Sequence, residues 1–112
     1  MPQRIEKINE LIKTRLAQLI LREIEFPQNL LVTITRVDTS PDFKVAKVFI
    51  TAIPENMRGS ALKILIKNSK TLHQDLIKIL KTKFTPNLRF YIDEQEVFAD
   101  EVEKILDEIK KR

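Results

Sequence analysis

The chain has 112 residues, 43% of them hydrophobic, with a single Gly, no Cys and a formal net charge of +4. That length leaves room for one compact domain over residues 1–112, and the hydrophobic fraction is too high for a chain disordered by composition. Without cysteine, disulfides, thiolate metal sites and cysteine nucleophiles are all excluded, and no segment reaches the ~18 to 20 apolar residues of a membrane helix, so the expectation is a soluble, cytoplasmic protein with no membrane partner.

Taken in chain order, Ile5, Ile8, Ile12, Leu16, Leu19 and Ile20 recur three and four apart and predict an amphipathic helix from Ile5 to about Glu25, ended by Phe26-Pro27. Leu30 to Val37 and Val45 to Ala52 are rich in Val, Ile, Thr and Phe. The intervening Asp38-Thr39-Ser40-Pro41-Asp42 carries the residues turns use, which predicts a hairpin with a longish loop. A helical pattern then runs from about Arg58 to Lys81. After Thr85-Pro86, a strand is predicted over Leu88 to Asp93, with Leu88, Phe90 and Ile92 on one side and Arg89, Tyr91 and Asp93 on the other. A last helix has the stripe Phe98, Val102, Ile105, Leu106 and Ile109, acidic at its start and basic at its end.

The long pattern from Arg58 to Lys81 contains an interruption, Asn68-Ser69-Lys70, three residues that together disfavour a helix interior. The apolar stripe Leu62, Leu65, Leu72, Leu76, Leu80 nevertheless keeps its register through it, with Ser69 on the core side, so a bend between two helices is expected. On the opposite side Lys63, Lys67, Lys70, Gln74, Lys78 and Lys81 lie three and four apart and form a basic ridge.

Charge along the chain is polarised. Arg58 to Arg89 holds eight Lys or Arg, Lys83 and Arg89 among them, against one acid, Asp75, a balance of +7; Ile92 to Glu108 holds eight acids against Lys104, a balance of −7. Like charges three and four apart on a helix repel, and a polyanionic partner relieves that repulsion. The plain alternative is a solvated surface, with the acidic C-terminal segment serving solubility. Catalytic constellations are missing. His73 is the lone histidine and is two residues from Asp75, too close in sequence to face it on a helix. Gly59 is the lone glycine, so no phosphate loop exists, and no zinc or calcium ligand spacing occurs. The expectation is a non-enzyme with no cofactor, no metal and no small-molecule substrate.

The order helix, strand, strand, helix, bend, helix, strand resembles a KH-type RNA-binding domain of the second topology, in which the turn between the two central helices contacts RNA. Three segments narrow the resemblance: "RIEKINELI", "LVTITRVDTSPDFKVAKVFI" and "TPNLRFYID" look like the bacterial ribosome-binding factor A family, over Arg4 to Ile109. The resemblance implies a KH-like α+β fold, α-β-β-α-kink-α-β-α, with a three-stranded sheet packed against helices. It also implies a monomer that binds the small ribosomal subunit and its 16S rRNA late in assembly, with a link to growth in the cold. Members of that family have an Ala-any-Gly kink where this chain has Asn68-Ser69-Lys70, and His73 stands where an Arg is usual. The basic ridge and the positive run that follows it make Lys63, Lys67, Lys70, Lys78, Lys81, Lys83 and Arg89 the candidate RNA contact, and the resemblance places the kink at Asn68, Ser69 and Lys70. The competing reading is a protein adaptor that docks a partner through its sheet edge or acidic C-terminal helix.

Overall fold

The computed structural model describes residues 2–82 and 85–94. Lys83 and the predicted C-terminal helix with Phe98, Val102, Ile105, Leu106 and Ile109 lie outside the described residues. The elements in order are α1 (Pro2–Glu23), β1 (Leu31–Thr39), β2 (Val45–Ile53), a 3-10 turn (Glu55–Met57), α2 (Arg58–Lys67), α3 (Ser69–Leu80) and β3 (Asn87–Ile92).

The apolar stripe of α1 becomes its buried face: Ile12, Leu16 and Leu19 are essentially inaccessible, and Ile8 is half-buried. Burying each such side chain contributes about 1.5–3 kcal/mol. The helix stops two residues before the expected Glu25, and Asn29 then turns the chain at φ 67°. The hairpin loop is closed by its own polar side chains. Ser40 Oγ donates to Asp42 Oδ1 at 2.6 Å, the Lys44 amide donates to the same oxygen at 3.0 Å, and the Val45 amide donates to Ser40 Oγ at 3.1 Å. The Ser40 hydroxyl, and after it the Lys44 amide, hold the Asp42 carboxyl below the usual carboxylate range.

β1 and β2 pair antiparallel, and β3 joins β2 in parallel, giving the order β1-β2-β3. A parallel neighbour requires a crossover, which α2 and α3 supply. Ala46, Val48, Ile50, Leu88 and Phe90 point to the helices and share one buried cluster with Ile12, Leu16, Ala61, Leu65, Leu72 and Leu76. Helices therefore cover one face of the sheet, and residues of opposite parity form a second, outer face.

A bulge decides which residues of β1 reach that outer face. Ile34 pairs with Ile50 but Arg36 pairs with Phe49, so Thr35 is the extra residue. Ile34 and Val37 are both buried although three apart, and Arg36 is exposed. Simple alternation from Ile34 would have buried the guanidinium in the core. Thr35 Oγ1 is hydrogen-bonded to the Phe49 carbonyl at 3.2 Å and to Asp93 Oδ2 at 2.5 Å, which pins the bulge.

Candidate nucleic-acid interface

α2 and α3 bury Ala61, Leu65, Leu72 and Leu76 against the sheet, so the opposite side of both helices faces solvent. Lys63, Lys67, Lys70, Gln74, Lys78 and Lys81 are all exposed there. Among the described residues none of these five lysines forms an ion pair; the pairs present are Arg22–Glu23 and Arg36–Asp93. Among the described residues, then, the exposed lysines of α2 and α3 are not neutralised by acids of their own helices.

The break between the helices is a single residue. Asn68 has φ −100° and ψ 6°, between the helical and extended regions, while Ser69 and Lys70 already belong to α3. The Ile64 carbonyl accepts both the Asn68 amide at 3.1 Å and the Asn68 side-chain Nδ2 at 2.8 Å. The Leu72 amide donates to the Asn68 carbonyl at 3.0 Å, so the ladder resumes at once. The bend needs no glycine because no residue from Asn68 to Lys70 has positive φ. The left-handed position lies instead at Lys81, φ 52°, which caps α3 with its amide on the Ile77 carbonyl at 3.0 Å. Two substitutions of the same type should therefore have opposite signs. Lys70→Gly places glycine in a helix and should cost about 0.5–1 kcal/mol. Lys81→Gly relieves a left-handed side chain and should gain up to about 1 kcal/mol, with denaturant unfolding of each free variant as the measurement.

His73, exposed to neither ridge nor core, is half-buried on α3, where its Nε2 donates to the Thr85 carbonyl at 3.1 Å. It ties α3 to the segment entering β3. Arg89 is exposed, but β3 sends it to the outer face of the sheet, away from the lysines of α2 and α3. Its register partner on β2 is Lys47. The run of positive charge along the chain joins Arg89 to Lys81, but strand parity turns Arg89 to the side of the sheet away from α2 and α3.

Beside Arg89, that outer face carries a cluster of aromatic and charged residues from all three strands. One rung across it is Arg36, Phe49 and Tyr91, and the next is Asp38, Lys47 and Arg89. The Phe49 and Tyr91 rings stack with centroids 5.7 Å apart and planes at 30°. The Arg36 guanidinium lies 3.9 Å over the Phe49 ring, with its Nε 3.7 Å from the buried Asp93 carboxylate. The signal for this cluster was strand parity: Phe49 sits between Val48 and Ile50, and Tyr91 between Phe90 and Ile92, so each aromatic ring must leave the core side.

Among the described residues, no helix is long and apolar enough to cross a membrane, and no group of three or more His, Asp or Glu is placed to hold a metal ion. A profile of the protein family described as ribosome-binding factor A matches residues 4–106. The ribosome-binding factor A of Chlamydia pneumoniae is 31% identical over 113 aligned positions, covering 98% of this chain and 94% of that one. The crystal structure of ribosome-binding factor A from Thermus thermophilus is 26% identical, covers 79% of this chain and 93% of its own, and superposes with a TM-score of 0.71. A homology model of the Thermus thermophilus factor, fitted into a cryo-EM map of its complex with the 30S subunit, is 28% identical, with a TM-score of 0.65 over 74% of this chain and 88% of its own.

Proposed function

The chain belongs to the ribosome-binding factor A family, and from that membership and the distribution of its charge we propose that it binds the maturing small ribosomal subunit and its 16S rRNA. It acts in the cytoplasm as a non-catalytic factor in late subunit assembly and is a monomer when free. The observation that carries this reading is the set of exposed lysines Lys63, Lys67, Lys70 and Lys78 on α2 and α3, continued by Lys81 at the end of α3, none of them ion-paired among the described residues. An RNA backbone offers evenly spaced negative charge to such a set, and the release of its counterions favours binding. Lys67 and Lys70 flank the break at Asn68, which makes that break the proposed centre of the contact. The fit of the Thermus thermophilus relative into a 30S complex supports the choice of partner.

Co-sedimentation of the purified chain with small ribosomal subunits over a range of salt concentrations tests the reading. Pelleting with the small subunit that weakens steeply between roughly 50 and 200 mM salt is the expected result. Pelleting that ignores salt would favour an adaptor held by an apolar contact, and no pelleting at any salt would end the proposal.

A further inference from the structure

We infer that the outer face of the sheet is a second RNA contact, in which Tyr91 stacks an unpaired base and Lys47 and Arg89 take the adjoining phosphates. Tyr91 is 38% exposed on the face turned away from the helices, so its ring can accept a planar partner. Phe49 backs that ring at 5.7 Å, and Arg36, clamped between Phe49 and Asp93, fixes Phe49 in turn. Phe49 and Arg36 are positioning residues, and Tyr91 is the platform.

The neighbouring rung supplies charge. Residues two apart on a strand are about 7 Å apart on one face, which sets Lys47 and Arg89 one step from Phe49 and Tyr91. Lys47 and Arg89 are register partners, and like charges directly opposite destabilise a sheet; Asp38, the register partner of Lys47 on β1, offsets Lys47, and Arg89 has no ion pair among the described residues. An anionic ligand stabilises that pair. Aromatic surface beside paired cations is the chemistry of single-stranded nucleic acid binding, whereas α2 and α3 carry lysines but no Phe or Tyr. The two faces are thus suited to different RNA features: the ridge to backbone, the sheet to a looped-out base. This inference rests on the RNA-binding reading above and adds a second site to it.

The chain's own composition provides a site-specific probe, because it has one Tyr and no Trp. With the tyrosine ring isotopically labelled, every NMR ring signal reports Tyr91. Titration with single-stranded hexa-adenylate should move those signals upfield, while an RNA duplex of similar charge should leave them in place. Affinity for fluorescein-labelled hexa-adenylate should fall about tenfold in Tyr91→Leu and be retained in Tyr91→Phe, with both variants melting as the parent does. Tyr91 signals that stay fixed through saturation with hexa-adenylate would overturn the inference, and so would parental affinity in Tyr91→Leu. Movement with an acidic peptide of residues 93–108 but not with RNA would overturn it too, by making this face a protein contact. Failure here is separable from failure of the proposed function, since loss of the Tyr91 response leaves salt-dependent pelleting of the parent protein with small subunits untouched.

Discussion

Replacing Lys63, Lys67, Lys70 and Lys78 together with Gln is expected to leave folding intact and to remove most of the affinity for the small subunit. All four lysines are exposed on α2 or α3, and Gln is nearly as good a helix former as Lys. Exposed substitutions of this kind stay within about 0.5 kcal/mol each, and relief of like-charge repulsion along the ridge works in the variant's favour. Binding responds differently. With each lysine meeting one phosphate, the logarithm of affinity gains roughly 0.7 to 0.9 per contact for every tenfold reduction in salt below 1 M. Four lost contacts then weaken binding by about three orders of magnitude near 0.1 M salt and flatten the salt slope by about 3. Sedimentation binding curves at several salt concentrations measure both quantities together. A quadruple variant with the parental slope would remove the ridge from the interface. A slope that drops while affinity hardly changes at 0.1 M would mean that apolar contacts carry most of the binding.

Much of this arrangement can be read from the order of residues, and the parts that cannot have specific causes. The face of α1 follows from residues spaced three and four apart, because a helix of that length buries one stripe whatever its partners are. The position of the helix break was legible because Asn68-Ser69-Lys70 is polar and locally hydrogen-bonding in the midst of Leu and Ile. Its conformation was not, since an Asn can end a helix at negative φ as Asn68 does, without the glycine that its pattern suggests. The left-handed positions were hidden for the same reason: Asn29, Phe43 and Lys81 occupy them, and only Asn among the three signals such a backbone. The outer side of β3 was legible from its alternation, but what β1 and β2 add to that face was hidden by two effects of strand geometry. The bulge at Thr35 turns Arg36 outward where strict alternation from Ile34 buries it, and pairing in the sheet places Lys47 beside Arg89 across a long separation in the chain. In retrospect Ile34 and Val37, both apolar and three apart within one strand, mark the slip, because they cannot both be buried without it.

Strand β3 permits a sharp separation of stability from binding, since adjacent residues face opposite ways. Phe90 is buried at 5% exposure within the shared cluster, opposite α2 and α3, and Arg89 beside it is exposed on the outer face. β3 has six residues and pairs only with β2 among the described residues, so its hold on the domain depends on its inward side chains. Phe90→Ala removes the largest of these and should cost about 3–5 kcal/mol. A domain of this size is stable by about 5–15 kcal/mol, so the variant should unfold far earlier in denaturant or not fold at all at physiological temperature. Subunit binding should then fail only through lost folding, and conditions that refold the variant should restore it. Arg89→Ala should do the reverse. Removing one of two opposed cations leaves stability within about 0.5 kcal/mol of the parent or slightly above it, while the salt slope for RNA falls by about 0.7 to 0.9. Equilibrium unfolding and RNA titration of the two variants side by side give the measurement. An Arg89→Ala protein that unfolds as early as Phe90→Ala would make Arg89 a structural residue, and the basic rung of the outer face would lose its assignment as a phosphate contact.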